Sequence, residues 1–203
     1  MPRTSTAKER LTDAALRMIW SHSYGATSVD AICDRAKVKK GSFYYFFKSK
    51  CDLAVAALDA DWKEQRAQLD TIFSPTVPPL ERLRRYFEFS FEYLQQIKEE
   101  CGAVLGCPLS ALGSEVCTQE TALREKIQEI LDRKLSYFES TIRDAHAQGL
   151  IVAPDAKAKA KTLFIFIQGA LTQARIQNNL ELLRDNYPSA LDLLGATQVE
   201  LSG

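Results

Sequence analysis

Apolar residues recur every three or four positions in segment after segment of the 203-residue chain, a period that predicts helices throughout and an all-α fold. Leu11, Ala14, Ala15, Met18 and Ile19 share one face of a first helix over residues 6–22, after a tip at residues 1–5 expected to be disordered. Val29, Ile32, Cys33 and Ala36 mark a second, short helix. Val38 stands alone among lysines as a turn residue plugged into a small core, and the period resumes over residues 39–47 with Phe43, Phe46 and Phe47 on the buried side. A helix of about seven turns follows over residues 49–73, stopped before Pro75, Pro78 and Pro79. Pro79 suits a first helical position, and residues 80–99 carry Tyr86, Phe87, Phe89, Phe91 and Tyr93, more rings than one face holds, so some either pack all round or line a cavity. Cys101 and Gly102 close that helix, and a shorter one runs from Pro108 to about Val116. Leu123, Ile127, Ile130, Leu131, Leu135, Phe138, Ile142 and Ala145 form the cleanest stripe in the chain, over residues 118–147. Asp155 caps a helix to about Asn178 whose middle, residues 163–171, is apolar on every side and therefore expected to be covered all round. A last stretch, residues 180–194, is expected to kink or restart at Pro188.

Residues 27–50 hold the densest chemistry. Thr27 reads as an N-cap, with Asp30 three residues on where the helix dipole favours negative charge. Ser49 and Asp52 repeat the signature at the next long helix, whose free N–H groups beside Lys48 and Lys50 suit a phosphate. Between them lie two short helices and a tight turn. The second leaves Lys39, Lys40, Ser42 and Tyr45 on its outer side, with Gly41 where backbone must come close. That is a helix-turn-helix pattern over residues 27–46, and such a row of donors reaches phosphates and base edges in a major groove.

Charge sharpens the picture. The chain is neutral overall, yet residues 1–50 hold ten Lys and Arg against four Asp and Glu, a balance of +6, while residues 51–203 hold sixteen against twenty-two. The N-terminal quarter alone is dressed for nucleic acid.

The order Gly25-Ala-Thr27-Ser-Val29-Asp-Ala-Ile32, then Ala36-Lys-Val38-Lys-Lys-Gly41-Ser-Phe43-Tyr44-Tyr-Phe-Phe47-Lys-Ser-Lys50-Cys-Asp-Leu53, resembles without a gap the DNA-binding domain of the TetR family of bacterial transcription regulators. It departs at Lys39, where the family often has serine or threonine, and at Phe46, where histidine is frequent. The resemblance implies a three-helix head (residues 1–50), extended by a linking helix (49–73), and a ligand-binding and dimerisation domain (74–203). It implies a homodimer formed through the last two long helices, bound to double-stranded operator DNA as a repressor and released by a small-molecule effector. Gly41, Ser42 and Tyr45 would meet bases, Lys40 bases or phosphates, and Thr27, Ser28, Tyr44, Lys48 and Lys50 phosphates, with Lys39 on the same face. The effector would lie among the aromatic helix, the helix after Cys107 and the helix over residues 118–147, with Tyr86, Phe89, Tyr93, Cys107, Phe138 and His146 as its candidate lining.

Cys107 has a second candidate role. Free N–H groups at a helix start stabilise a thiolate, provided solvent reaches it, whereas a small buried residue at a tight crossing would be inert. Gly106-Cys107-Pro108-Leu109 followed by Glu115 also resembles family members that respond to drugs, quinones or electrophiles, so a thiol-based sensor on the same scaffold is the alternative. An enzyme with an aromatic pocket is the competing class. Against it stand two histidines in all and the lack of a glycine-rich phosphate loop, paired ligand histidines or a nucleophile elbow. No catalytic residue, cofactor or metal is expected. Five cysteines without a C-x-x-C pair or a signal peptide point to a reducing, cytoplasmic setting. No apolar run approaches the roughly twenty residues of a membrane helix.

Overall fold

A computed structural model describes residues 6–196; the tip at residues 1–5, expected to be disordered, lies outside them, as do residues 197–203. The described residues form nine helices and no strand: α1 (Ala7–Ser21), α2 (Val29–Ala36), α3 (Lys40–Phe46), α4 (Lys50–Ile72), α5 (Pro79–Cys101), α6 (Pro108–Val116), α7 (Thr121–Ala147), α8 (Ala156–Gln177) and α9 (Glu181–Leu194). They pack as two compact units, Met1–Gln65 with Pro108–Ile130, and Arg66–Cys107 with Leu131–Gly203. The chains of α4 and α7 pass through both.

In the first unit α1 packs on α2, α3 and α6. Leu11, Ala15, Ile32, Phe43 and Leu53 are fully buried at its centre. A reciprocal capping box starts α1: the Thr6 hydroxyl accepts from Glu9 N–H at 3.2 Å and the Glu9 carboxylate accepts from Thr6 N–H at 2.7 Å. The cap of α2 differs from expectation. Ser28 holds it, accepting from Ala31 N–H at 3.1 Å, while Thr27 is only 2% exposed and donates its hydroxyl to Ser23 O at 2.6 Å. Two adjacent hydroxyl residues satisfied the capping pattern equally in the sequence, and the loop took one of them. The α4 start follows the predicted signature, with Ser49 Oγ accepting from Asp52 N–H at 3.0 Å and Asp52 accepting from Lys48 N–H at 3.2 Å.

The second unit is organised by rings. Phe138 lies 4.9 Å from Tyr86, 5.2 Å from Phe73 and 5.4 Å from Phe164, in edge-to-face or tilted contact, so α5, α7, α8 and the end of α4 meet on one aromatic cluster. Tyr86 is buried there, and desolvation, with a smaller contribution from nearby Cys107, pushes its phenol well above the ordinary range. Arg82 is the largest of the fully buried side chains, at 2% exposed. It reaches Asp144 on α7 at 2.6 Å, Val77 O at 2.8 Å and Pro75 O at 3.2 Å, pinning the proline-rich α4–α5 connection. The loop before α6 is pinned to α8: Val104 N–H donates to Asn178 Oδ1 at 2.9 Å and Arg175 to Leu105 O at 3.1 Å. Gly106 has φ +64°, and a Cβ there would lie 2.8 Å from Leu171 O.

Two expectations about the last helices can be set against the single chain. Within one chain the apolar middle of α8 is covered on one side only. Leu163, Phe164, Ile167, Ala170 and Leu171 are buried, but Ile165 and Ile176 are 62% and 69% exposed, with Gly169 and Thr172 exposed between them. That spacing of four, three and four is one helix face. Pro188 does not restart the helix: α9 runs on with Pro188 exposed inside it.

The α5 start carries a charge cluster in which Glu81 receives Arg84 at 2.6 Å and Arg85 at 2.8 Å. The Arg84 hydrogen bond, with Arg85 behind it, lowers the Glu81 carboxyl to about 2 from an ordinary 4.5. A depressed carboxyl contributes stability that is present above its unfolded value and lost as pH falls towards its folded one. Glu81→Gln should therefore cost stability at pH 7, the deficit shrinking between about 4.5 and about 2. Urea unfolding of both proteins across that range measures it, and a deficit independent of pH would contradict the assignment.

Candidate nucleic-acid interface

The basic head presents α3 with its buried edge inward and its remaining faces bare. Phe43 and Phe47 form the inner edge, in tilted contact at 5.9 Å. Tyr45 points furthest out, at 83% exposed, flanked by exposed Gly41 and half-buried Ser42, and Tyr44 is also exposed. A Cβ at Gly41 would meet nothing within 4 Å, so the backbone there is open to an approaching partner. Lys39 occupies the N-cap position of α3 without a side-chain capping bond, since an ammonium has no acceptor to offer the free N–H groups of the first turn. Lys40 turns towards α2 and pairs with Asp30 at 2.7 Å; this hydrogen bond raises its pKa and sets it at the margin of the face. Lys48 is exposed at the α4 start. Phe46 corrects the periodicity: it is 38% exposed and lies on the flank, not in the core.

Lys50 and Thr27 serve the frame. Lys50 Nζ donates to Tyr24 O at 2.8 Å and Thr27 O at 3.1 Å and sits 4.1 Å from the Tyr24 ring centroid. These bonds tie α4 to the α1–α2 loop, and the Thr27 hydroxyl is already committed to Ser23 O. The same loop is held from the other side by a residue that periodicity gave no reason to single out for this role. Both carboxylate oxygens of Glu115, on α6, accept backbone N–H groups, Tyr24 at 2.8 Å and Gly25 at 2.7 Å. Charge-assisted bonds of this kind contribute about 1.5–3 kcal/mol each. Tyr24 Oη adds a bond to Glu120 at 3.2 Å; burial and then Glu120 hold the phenol well above its usual range.

The six candidate lining residues of the second unit separate into three sets. Tyr86 and Phe138 are in ring contact, with Cys107 close to Tyr86. Phe89 and Tyr93 stack on each other one turn apart, half-buried. His146 is exposed, and its Nδ1 accepts from Ala153 N–H at 3.3 Å, closing the α7–α8 loop. Cys107 is 8% exposed, whereas Cys101 is exposed. An open groove of about 520 Å³ that the periodicity did not reveal runs between α5 and α9, walled by Phe87, Phe91, Leu183 and Tyr187 and rimmed by Arg84 and Arg184. The Arg184 guanidinium lies 3.8 Å from the Phe91 ring centroid. No helix among the described residues is long and apolar enough to cross a membrane.

Comparison with known proteins agrees with this geometry. Residues 11–57 match the N-terminal domain described as "Bacterial regulatory proteins, tetR family", and residues 79–187 match the "Tetracyclin repressor-like, C-terminal domain". The chain is 29% identical to the transcriptional regulator AcuR of Cereibacter sphaeroides, over 87% of this chain and 80% of that one. It is 27% identical to the HTH-type transcriptional repressor DhaR of a Mycobacterium species, over 90% of this chain and 89% of that one. A crystal structure of a TetR regulatory protein from Rhodobacter sphaeroides superposes with a TM-score of 0.81 at 26% identity, covering 92% of this chain and 97% of that one. The reduced form of Escherichia coli NemR has the same fold, with a TM-score of 0.81 at 17% identity, over 96% of this chain and all of that one. A helix-turn-helix with its outer face bare, in a basic head ahead of an all-helical second domain, is thus matched along both parts of the chain, which belongs to the tetR family of bacterial regulatory proteins and is a DNA-binding transcription regulator.

Proposed function

We propose that the protein is a homodimeric repressor whose two α3 helices enter successive major grooves of a pseudo-palindromic operator and are withdrawn when a small molecule binds the C-terminal domain. The observation that carries the reading is the bare outer face of α3, where Tyr45 and Gly41 are exposed on a scaffold whose structural bonds are made elsewhere. Two-fold symmetry would set the α3 helices about 34 Å apart, or a multiple of it. Ser42, Gly41 and Tyr45 face bases. Lys39, Ser28, Tyr44 and Lys48 face phosphates, with Lys40 at the margin; Thr27 and Lys50 brace the frame. The exposed stripe Ile165, Gly169, Thr172 and Ile176 on α8 supports the dimer, because two exposed isoleucines with small residues between them let a second copy of the helix approach closely and cover them. DhaR, similar along most of its length, is named a repressor, which supports the sign of regulation.

Residues 1–50 are the reading part and residues 74–203 the sensing and dimerising part, joined by the helix over residues 49–73. A shift of α4 that moves the heads off their spacing needs about 2.7 kcal/mol of coupling to weaken DNA binding a hundredfold. Burial of Cys107 weighs against the thiol-sensor alternative: a mild alkylating agent should modify Cys101 first, and DNA release that tracks Cys107 labelling instead would reinstate that alternative.

Gel retardation with duplex from the protein's own promoter region tests the proposal. Tyr45→Ala should weaken that duplex roughly tenfold and leave random duplex nearly unchanged. Lys48→Ala should weaken both alike and reduce the salt slope by about one per subunit. Equal loss from both variants on both duplexes would contradict the division of roles, and a dimer that retards no duplex would overturn the reading.

A further inference from the structure

Phe46 is where helical period and structure part. Its spacing from Phe43 and Phe47 marks it as core, yet it is 38% exposed at the end of α3, on the flank beside the outward-facing residues. Its ring stands edge-to-face with Tyr45, centroids 5.0 Å apart and planes at 83°, and 6.4 Å from Phe47. Lys39, Ser42 and Phe46, at steps of three and four, share one flank of the helix. That flank therefore offers a cation, a hydroxyl and an apolar ring in order from the start of α3 to its end.

A phenyl ring has neither donor nor acceptor to offer a phosphate or a polar base edge. In the major groove one apolar feature distinguishes the base pairs, the C5 methyl of thymine. The edge-to-face contact with Tyr45 limits the rotamers of Phe46 before docking, so little freedom is left to lose on contact. We propose that Phe46, held by Tyr45, is a specificity-determining residue that reads a thymine methyl group in each half-site. This rests on the regulator reading above and specifies one letter of its base code. Sequence preference at that position then comes from shape and apolar contact, and the contact adds nothing to the salt dependence of binding.

Deoxyuridine separates the methyl from everything else, because it pairs as thymine does and lacks only that group. A duplex selected by the full-length protein from a randomised library would be resynthesised with deoxyuridine at each thymine of the half-site in turn, on both half-sites. Kd would be measured at fixed salt for wild type, Phe46→Ala and Phe46→Leu. At one thymine per half-site, wild type should lose about fourfold per methyl, hence about sixteenfold for the symmetric pair. Phe46→Ala should bind the thymine and deoxyuridine duplexes equally at that position, and Phe46→Leu should keep most of the discrimination. Equal losses in wild type and Phe46→Ala, or wild-type indifference at every thymine while binding stays specific, would overturn the inference and leave the regulator reading intact. Failure to select any duplex would overturn both.

Discussion

Arg82→Ala is expected to lower the unfolding free energy by about 3 kcal/mol, a cost comparable to emptying a core position although the residue is charged. Removing one partner of a buried ion pair generally costs about 3–5 kcal/mol, because the other charge stays behind unpaired. The lower end applies because Asp144 is 36% exposed and keeps water on one side. The rest of the cost comes from the Val77 and Pro75 carbonyls, which lose their guanidinium donor. Arg82→Met retains most of the volume and removes the charge, so it separates packing from pairing; Asp144→Asn, which leaves the carbonyl bonds in place, should cost less than either. Urea denaturation followed by circular dichroism gives the three values. A loss under about 1 kcal/mol for Arg82→Ala would show that water replaces the guanidinium without penalty.

Gly106→Ala should cost nearly as much, about 3 kcal/mol, from two sources. A φ of +64° is strained for any residue with a Cβ, by about 1–2 kcal/mol. The added methyl would also lie 2.8 Å from Leu171 O and 3.2 Å from Arg175 Cβ, backbone and near-backbone atoms that cannot swing aside. Gly149→Ala is the internal control, since φ there is +73° and nothing lies within 4 Å of the new Cβ. The difference between the two variants isolates the clash. In a chain of this size it corresponds to a drop in Tm of about 5 °C beyond that of Gly149→Ala. Equal shifts would mean that α8 moves away at no cost.

The chain yielded its helices to a simple rule because almost every one is amphipathic, capped by a hydroxyl or carboxylate, or stopped by glycine or proline. The α1, α4 and α5 starts fell within a residue or two of their signatures. The misses share a cause. Thr27 and Ser28 both fit the cap, and only the Thr27 bond to Ser23 O decides between them. Phe46 and Ile165 fit their stripes, but a helix of seven residues or one apolar all round has no unique inside, so partners elsewhere set the boundary. Arg82 and Glu115 were opaque for another reason: a charged residue acquires its role from carbonyls or N–H groups that sequence spacing does not bring near. The outward side of α3 was legible because Gly41, Ser42, Tyr44 and Tyr45 lie within one short helix. The groove between α5 and α9 was not, because it joins residues 84–95 to residues 183–187.

The Glu115 clamp bears on how such regulators can be recombined. A chimera that borrows this reading head by cutting within α4 would carry the α1–α2 loop away from the carboxylate that fastens it, leaving the Tyr24 and Gly25 amides without their acceptor. The transplantable part is therefore discontinuous in the gene. It comprises the described residues up to Gln65 together with the segment Pro108–Ile130, and a graft that respects only the linear order imports a head whose α1–α2 loop has lost its fastening.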